Sequence, residues 1–263
     1  MAAETYSLRA LVLRKTKLGE TDAIVTLLAE DGRQVRAVAK GARKPSSAFA
    51  SRLELFSEVD LLLVRGKSLD IVKEARLLDA HLGVRSDMEH AAAAAPIIDV
   101  MARLSQPDLA APRLYALTSS ALSHAQAADA SSALAVCAAH LLKAFAFSGF
   151  RPSFDTCVIC GSPVVGETAA APQGDSRRTV SFSPAEGGVV CNSCLLLSDA
   201  RPVATDVLAW AHFLLMSPFD MVVDAHVERR ISFEVLHLCQ AWECEHVGGK
   251  LKSLEFLFTC GLF

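Results

Sequence analysis

The sequence has little of several features that mark particular protein classes. Only 6% of its 263 residues are aromatic, and the formal net charge at pH 7 is −3. No apolar run approaches the roughly 18 residues that a bilayer-spanning helix needs. The N-terminal stretch MAAETYSLRALVLRK lacks a basic segment leading into an apolar one, so we expect no signal peptide, no membrane association and a cytoplasmic location.

Motifs of common enzyme classes are also missing. The segment GGKLKS at 248–253 has the Gly-Gly-Lys of a phosphate loop, but Cys244 and Leu251 stand where that motif needs Gly and Ser or Thr. Neither H-E-x-x-H nor G-x-S-x-G occurs. No His-x-Glu precedes the first Cys-x-x-Cys pair, as a zinc deaminase would require. We therefore expect a protein without catalytic activity.

The first 80 residues alternate short β-type runs with polar breaks. Asp31-Gly32, between the second and third runs, is typical of a tight hairpin turn. Five short strands with a long excursion after the third are typical of a small barrel of the oligonucleotide-binding (OB) type, and an open five-stranded sheet fits the same pattern. The predicted strands are 6–15, 23–30, 33–40, 54–65 and 69–78.

From about residue 87 the apolar residues recur at helical spacing. Ser86 or Asp87 would cap the first helix, and Pro96 would kink or break it unless it lay near the helix start. The sequence thus predicts an α+β protein, with an OB domain over 1–80 and a helical domain over 81–263. The helical segments are SDMEHAAAAAPIIDVMARLSQ, PDLAAPRLYALTSSALSHA, SSALAVCAAHLLKAFAFSGF (ending at Gly149), TDVLAWAHFLLMS and ERRISFEVLHLCQAWECEHV.

Four cysteines form two pairs with equal internal spacing, in DTCVICG and CNSC. Cys-x-x-Cys turns present two sulfurs on one side of a knuckle, and four thiolates leave zinc no position for water. In a reducing cytosol such pairs favour one structural zinc ion, in an insertion at about 155–196. A small polar excursion at 166–180 accounts for the long gap. Reduced or disulfide-bonded thiols are the alternative. The predicted ligands are Cys157, Cys160, Cys191 and Cys194.

A second cluster, HLCQAWECEH, does not predict a metal site. On a helix, His237 and Cys244 share one face, whereas Cys239 and His246 share a nearly opposite one, so one ion cannot reach all four. The cysteines outside the two pairs are interpreted as small buried hydrophobic residues.

Positive charge is concentrated in the first 80 residues, which carry 14 Lys and Arg against 11 Asp and Glu. A predicted loop, VAKGARKPSSAFASR, holds four of these cations beside the barrel, where they could neutralise phosphates and release counterions. A solubilising surface loop is the alternative. Few aromatic residues (Tyr6, Phe49 and Phe56) could stack on bases, which favours backbone binding with little sequence preference. The candidate nucleic-acid-binding residues are Lys40, Gly41, Arg43, Lys44 and Arg52, with Arg33, Arg36, Arg14, Lys15, Lys17, Arg65 and Lys67 extending the patch.

Longer segments resemble a known family. KGARKPSSAFASRLELFSEVDLLLVRGKSLDIVKEARLL is similar to the N-terminal signature of RecO, the bacterial recombination mediator. FSGFRPSFDTCVICG, FSPAEGGVVCNSC and GGKLKSLEFL resemble later RecO segments in the same order. The resemblance spans most of the chain. Leu55 departs from it where many relatives have Pro, and Leu254 where a basic residue is common.

The resemblance implies an OB barrel followed by a helical domain with a four-cysteine zinc knuckle. It also implies a nucleoid-associated protein that binds single- and double-stranded DNA, anneals complementary strands and, with RecR, helps load RecA on DNA coated by single-strand-binding protein, whose C-terminal tail docks on the helical domain. The family's basic loop maps onto Lys40, Gly41, Arg43 and Lys44, and its ligands map onto the four cysteines. A protein-binding scaffold without DNA affinity and a Cys-x-x-Cys thiol redox protein are the alternatives.

Overall fold

A computed structural model describes residues 4–164 and 178–263. The chain divides into two compact units, Met1–Gln126 and Ala127–Phe263. The first unit holds all five strands of a barrel together with the helical segments that follow it. The domain boundary drawn from the sequence at residue 80 stays a prediction.

The barrel is closed, with strand order β1-β2-β3-β5-β4. Strands β3 and β5 pair in parallel at Ala37 and Asp70, and the other neighbours are antiparallel. Closure confirms the OB-type barrel and excludes the open sheet. The strands are β1 Thr5–Leu18, β2 Asp22–Ala29, β3 Gln34–Ala39, β4 Glu58–Val64 and β5 Asp70–Asp79.

Alternating apolar residues build the barrel core. Val25 of β2 and Leu63 of β4 are fully buried and belong to one apolar cluster inside the barrel. Strand β1 carries a bulge between Val12 and Arg14. The bulge re-aims the strand, so that its first half pairs with β4 and its second half with β2.

The predicted hairpin turn joins β2 and β3 and is packed against the chain between two helices. Gly32 has φ +84°, and a Cβ there would lie 2.0 Å from the backbone oxygen of Ala111, so only glycine fits. The amide of Ala111 donates to Asp31 O at 2.8 Å, and that of Gln34 to Gln106 O at 3.0 Å. The hairpin end of β3 is therefore fixed to the segment 105–111, which connects two later helices.

The segment between β3 and β4, predicted as loop throughout, contains a short helix, α1 (Ala48–Arg52). The hydroxyl of Ser47 caps it by accepting from the Phe49 amide at 3.2 Å. Leu53, which follows the helix, is fully buried in the barrel core, and Phe49 packs against the same core. Burial of these two apolar residues favours the helix. The polar residues before them are typical of a loop and hid the helical pattern in the sequence.

Two longer helices complete the first unit. They are α2 (Met88–Leu104) and α3 (Pro112–Ala127), preceded by a 3₁₀ turn at Leu82–Arg85. Asp87 caps α2, as predicted, by accepting from the His90 amide. Pro96 lies well inside α2, which is continuous, so the predicted break is wrong. One lost backbone hydrogen bond is offset because the helix buries Ile97 and its neighbours and packs on β1 and β2.

The second unit is organised around α4. This helix has 18 residues and a mean hydropathy of 1.5, long and apolar enough to cross a bilayer, but 72% of it is buried, as expected at the centre of a helical core. It contacts α5, α6 and α7. The predicted helices in this part are confirmed, whereas α6 and α8 were not predicted. The helices are α4 Ala130–Phe147, α5 Thr205–Met216, α6 Phe219–Asp224, α7 Arg229–His246 and α8 Lys252–Thr259.

A small antiparallel sheet, also not predicted, stands beside these helices, with strand order β7-β6-β8. Most of the polar excursion at 166–180 lies outside the described residues, but Thr179 and Val180 belong to β6. The strands are β6 Thr179–Ser183, β7 Gly188–Val190 and β8 Arg201–Ala204, and a 3₁₀ segment, Asn192–Leu197, follows β7.

Candidate metal centre and nucleic-acid interface

The four predicted cysteine ligands meet at one point. Their Sγ atoms all lie within 4.8 Å of one another, and those of Cys160 and Cys191 are 3.7 Å apart. A tetrahedral zinc ion with Zn–S bonds of about 2.3 Å holds its sulfurs about 3.8 Å apart. The donor set and its spacing therefore fit one zinc ion, and no other group of three or more potential ligands gathers within 4–164 and 178–263.

Backbone hydrogen bonds shape each knuckle. In the first, the amide of Cys157 donates to Ser162 O and that of Gly161 donates to Cys157 O, both at 2.8 Å. Gly161 has φ +73°, a conformation that glycine adopts without strain. In the second, the amide of Cys194 donates to Cys191 O at 3.0 Å. Both turns thus fold their sulfurs to the same side.

The electrostatics of the cluster are uneven. Burial raises the pKa of Cys157, but three backbone N–H groups, among them that of Cys191 at 3.3 Å, outweigh it and lower the pKa to about 6. Hydrogen bonds from Ser162 lower the pKa of Cys160. Contact with the Cys160 sulfur, together with burial, raises the pKa of Cys194 to about 12. Four adjacent thiolates repel one another, and a divalent cation removes that repulsion.

The cluster is joined to the small sheet. Val158 donates its amide to Val189 O, and Val189 donates to Ser153 O, both at 3.0 Å. The rings of Phe154 and Phe182 stack with centroids 5.8 Å apart. The first knuckle is therefore hydrogen-bonded to β7, whose last residue precedes Cys191.

Residues of the second His and Cys group have other contacts. Cys239 is fully buried, and the ring of His246 hydrogen-bonds through Nε2 to Pro184 O at 2.8 Å. Among the described residues, this group does not gather into a set of potential ligands.

The structure divides the predicted nucleic-acid-binding residues by whether they already have partners. Four of the cations form ion pairs within the barrel unit, and each would have to give up a carboxylate before binding a phosphate. They are Arg33 with Asp31 (2.7 Å), Arg65 with Glu4 (3.0 Å), Lys15 with Glu54 (2.6 Å) and Arg14 with Asp99 (2.5 Å).

Two arginines bind backbone carbonyls. The Arg52 guanidinium donates to Ala75 O at 2.9 Å, which ties α1 to β5. The Arg43 guanidinium donates to Gly19 O and Glu20 O, also at 2.9 Å. Both side chains thus have a structural contact in the free protein.

Five of the predicted cations are exposed, and their side chains form no hydrogen bond or ion pair among the described residues. Lys17 lies on β1 opposite Ala23 of β2, and Ala23 pairs with Ala39, the last residue of β3, which Lys40 follows. Arg36 lies on β3. The five are Lys17, Arg36, Lys40, Lys44 and, in the turn between β4 and β5, Lys67.

Asp22, the first residue of β2, was missed by sequence reasoning and hydrogen-bonds to the basic loop. Its Oδ1 accepts from the Gly41 amide at 2.8 Å and from the Thr21 hydroxyl at 3.0 Å. These bonds, together with the charges of Lys40 and Lys44, lower its pKa. Gly41 has φ +67°, a conformation that glycine adopts without strain in a turn, and its predicted role in DNA binding stays a prediction. No pattern in the sequence marked Asp22.

The three aromatic residues considered for base stacking are all engaged. Phe56 is buried, as expected of a core residue, and Phe49 packs on the barrel core. Tyr6 also packs on that core; its hydroxyl donates to Asp70, and the Arg65 guanidinium lies 5.1 Å from its ring centroid. Tyr6 and Phe49 are half-buried, so these rings are less accessible than the exposed cations.

Comparison with known families shows which family the chain belongs to. Residues 1–81 match the family profile described as "Recombination protein O N terminal", and residues 85–255 match "Recombination protein O C terminal". The chain belongs to the RecO family. The resemblance found in the sequence is therefore confirmed.

RecO relatives match along nearly the whole chain. The "DNA repair protein RecO" of Nocardioides sp. (strain ATCC BAA-499 / JS614) is 33% identical over 254 residues, which are 96% of this chain and 98% of the relative. That of Bifidobacterium longum (strain DJO10A) is 31% identical with the same coverage. Leu254, which departs from the RecO pattern, is fully buried in α8, so an apolar residue suits this position.

Proposed function

We propose that this RecO chain is a non-enzymatic DNA-binding mediator of recombination and repair. It binds single- and double-stranded DNA, anneals complementary strands and helps load RecA together with RecR. One observation carries the proposal: a closed OB barrel exposes five cations whose side chains have no partner among the described residues. They lie on β1 (Lys17), on β3 (Arg36), in the loop after β3 (Lys40 and Lys44) and in the turn between β4 and β5 (Lys67). OB barrels take oligonucleotides on strands 2 and 3 and on the loops after strands 1 and 4.

The chemistry of these cations supports backbone binding. A cation with no internal partner can neutralise a phosphate without first breaking an ion pair, and it releases counterions as it does so. The packed aromatic residues leave few rings for base stacking, the main source of base contact in single-strand binding. Binding would therefore depend on phosphates, which both forms of DNA present.

The remaining parts of the proposal follow from membership in the family. Curated relatives carry the name DNA repair protein RecO, and the resemblance implies work on DNA coated by single-strand-binding protein, whose C-terminal tail would dock on the helical unit. The location would be cytoplasmic, at the nucleoid. The four cysteines would hold one structural zinc ion, whose charge stabilises the knuckles and supplies no reaction step.

The experiment measures affinity for a fluorescent single strand at rising salt, with strand annealing as a second readout. Each lost phosphate contact on single strands lowers the slope of log K against log salt by about 0.7. We expect Lys40→Ala combined with Lys44→Ala to lower the slope by about 1.4 and to slow annealing.

The matched control is Lys252→Ala, because Lys252 is an exposed lysine in the second unit. It should leave both readouts unchanged. Wild-type binding that does not respond to salt, or a double variant with the wild-type slope, would refute DNA binding by the loop. A chain that binds RecR without binding DNA would instead be a protein scaffold.

A further inference from the structure

The basic loop is tied to the turn between β1 and β2 by hydrogen bonds that converge on Arg43. Its backbone amide donates to Thr21 O at 2.9 Å. Its Nη1 donates to Gly19 O and to Glu20 O, each at 2.9 Å. One residue thus binds three successive carbonyl groups of the turn.

A second set of bonds fixes the loop on either side of Arg43. The Gly41 amide donates to Asp22 Oδ1 at 2.8 Å. Within the loop, the Lys44 amide donates to Gly41 O at 3.0 Å, and the Ser47 amide donates to Lys44 O at 2.9 Å. The backbone that carries Lys44 is therefore defined before any ligand arrives.

The guanidinium group suits this task better than an ammonium group would. It is planar and presents its donors at fixed angles, so that one nitrogen directs its two hydrogens at two neighbouring oxygens. A lysine ammonium is a strongly hydrated point charge on a flexible stem. Lysine at position 43 would keep the charge and lose the rigid bridge.

We propose that Arg43 is a positioning residue for DNA binding and not one of the phosphate contacts. This inference rests on the proposed function. Through its three carbonyl contacts it holds the loop against the β1–β2 turn, so that the backbone carrying Lys40 and Lys44 is fixed to this turn in the free protein. Ordering a backbone costs conformational entropy, and a preformed site avoids this cost at the moment of binding.

Salt titration separates a positioning residue from a phosphate contact. We expect Arg43→Ala and Arg43→Lys to weaken single-strand binding alike, by about tenfold, with the wild-type salt slope. The comparison variant Lys44→Ala should lower the slope by about 0.7. A reduced slope in Arg43→Ala with normal binding in Arg43→Lys would make Arg43 a phosphate contact and overturn the inference.

Hydrogen exchange in the absence of DNA gives a second, independent readout. The amides of Gly41, Arg43 and Lys44 should exchange faster in both Arg43 variants and at the wild-type rate in Lys44→Ala, while α2 stays protected in all of them. Unchanged exchange in the Arg43 variants would overturn the positioning role even if DNA binding is weakened. If the wild type binds no DNA, the proposed function fails, and hydrogen exchange alone still decides whether Arg43 holds the loop.

Discussion

The basic loop and the cysteine cluster both use a left-handed glycine in a tight turn, but different forces hold them. The loop around Gly41 is fixed by hydrogen bonds to a barrel with its own apolar core. The turn at Gly161 lies in a knuckle that is hydrogen-bonded to a small sheet, whose strands have five, three and four residues. Short strands with few apolar contacts give little stability on their own. We therefore expect the chain alone to define the loop, whereas the order of the cysteine segment would depend on a bound ion.

Metal removal should show the largest difference between the two regions. Structural zinc contributes about 10–16 kcal/mol of apparent binding energy in small zinc domains, more than any single side chain. We expect one zinc per chain by elemental analysis. After chelation, or in Cys157→Ser, hydrogen exchange should increase in β6, β7 and the knuckles but not in β1–β5.

The control for that prediction is Cys260→Ser, because Cys260 is a half-buried cysteine outside the cluster. It should keep the zinc and the protection. A metal-free chain whose knuckle amides remain protected would show that the hydrogen bonds suffice, and it would revive the reduced or disulfide-bonded alternatives.

A core substitution in the barrel should destabilise the barrel and leave the cysteine cluster unchanged, which is the opposite of the effect expected for metal removal. Leu63 is fully buried, and truncating such a leucine costs about 2–5 kcal/mol through lost burial and the cavity left behind. We expect Leu63→Ala to lower the free energy of unfolding of the barrel by this amount, measured by denaturant titration, while zinc content stays at one per chain.

Leu18→Ala is the matched control for the barrel, since 39% of the Leu18 side chain is exposed and truncation there should change stability by less than about 0.5 kcal/mol. Loss of zinc together with barrel stability in Leu63→Ala would mean that the two regions do not fold independently.

The smallest effect is expected when two arginines near the β2–β3 hairpin are compared. Arg33 forms an ion pair with Asp31, whereas Arg36 has no partner among the described residues. We expect Arg36→Ala to lower the salt slope of single-strand binding by about 0.7 and Arg33→Ala to leave it unchanged. Equal losses in the two variants would show that internal ion pairing does not decide which cations bind DNA.

Local sequence signals predicted much of the fold. The barrel strands follow from the alternation of apolar residues, the hairpin from Asp31-Gly32, and the knuckles from the spacing of the cysteines. Strand β7 has only three residues, too few for a recognisable period. The helix break at Pro96 was wrong because a local rule ignores the packing of the helix on the barrel.

The candidate DNA site was predicted only in part. Residue type identified all of the cations, but their pairing depends on contacts that are distant in sequence. Arg14 meets Asp99, 85 positions away, and Lys15 meets Glu54, 39 positions away. Only the pair Asp31 and Arg33, two positions apart in one turn, was open to inference from the sequence. Tertiary structure therefore decides which charges remain available.

Fixing the hairpin end of β3 to Ala111 and Gln106 has a mechanical consequence. At its other end β3 runs into the loop that Asp22 and Arg43 hold, so the strand is clamped at both ends and is a stiff support. A stiff support leaves bending to the nucleic acid. A single strand bends at little cost, whereas a duplex has a persistence length of about 150 base pairs. If the barrel binds DNA as proposed, its stiffness would favour the more flexible form, the single strand.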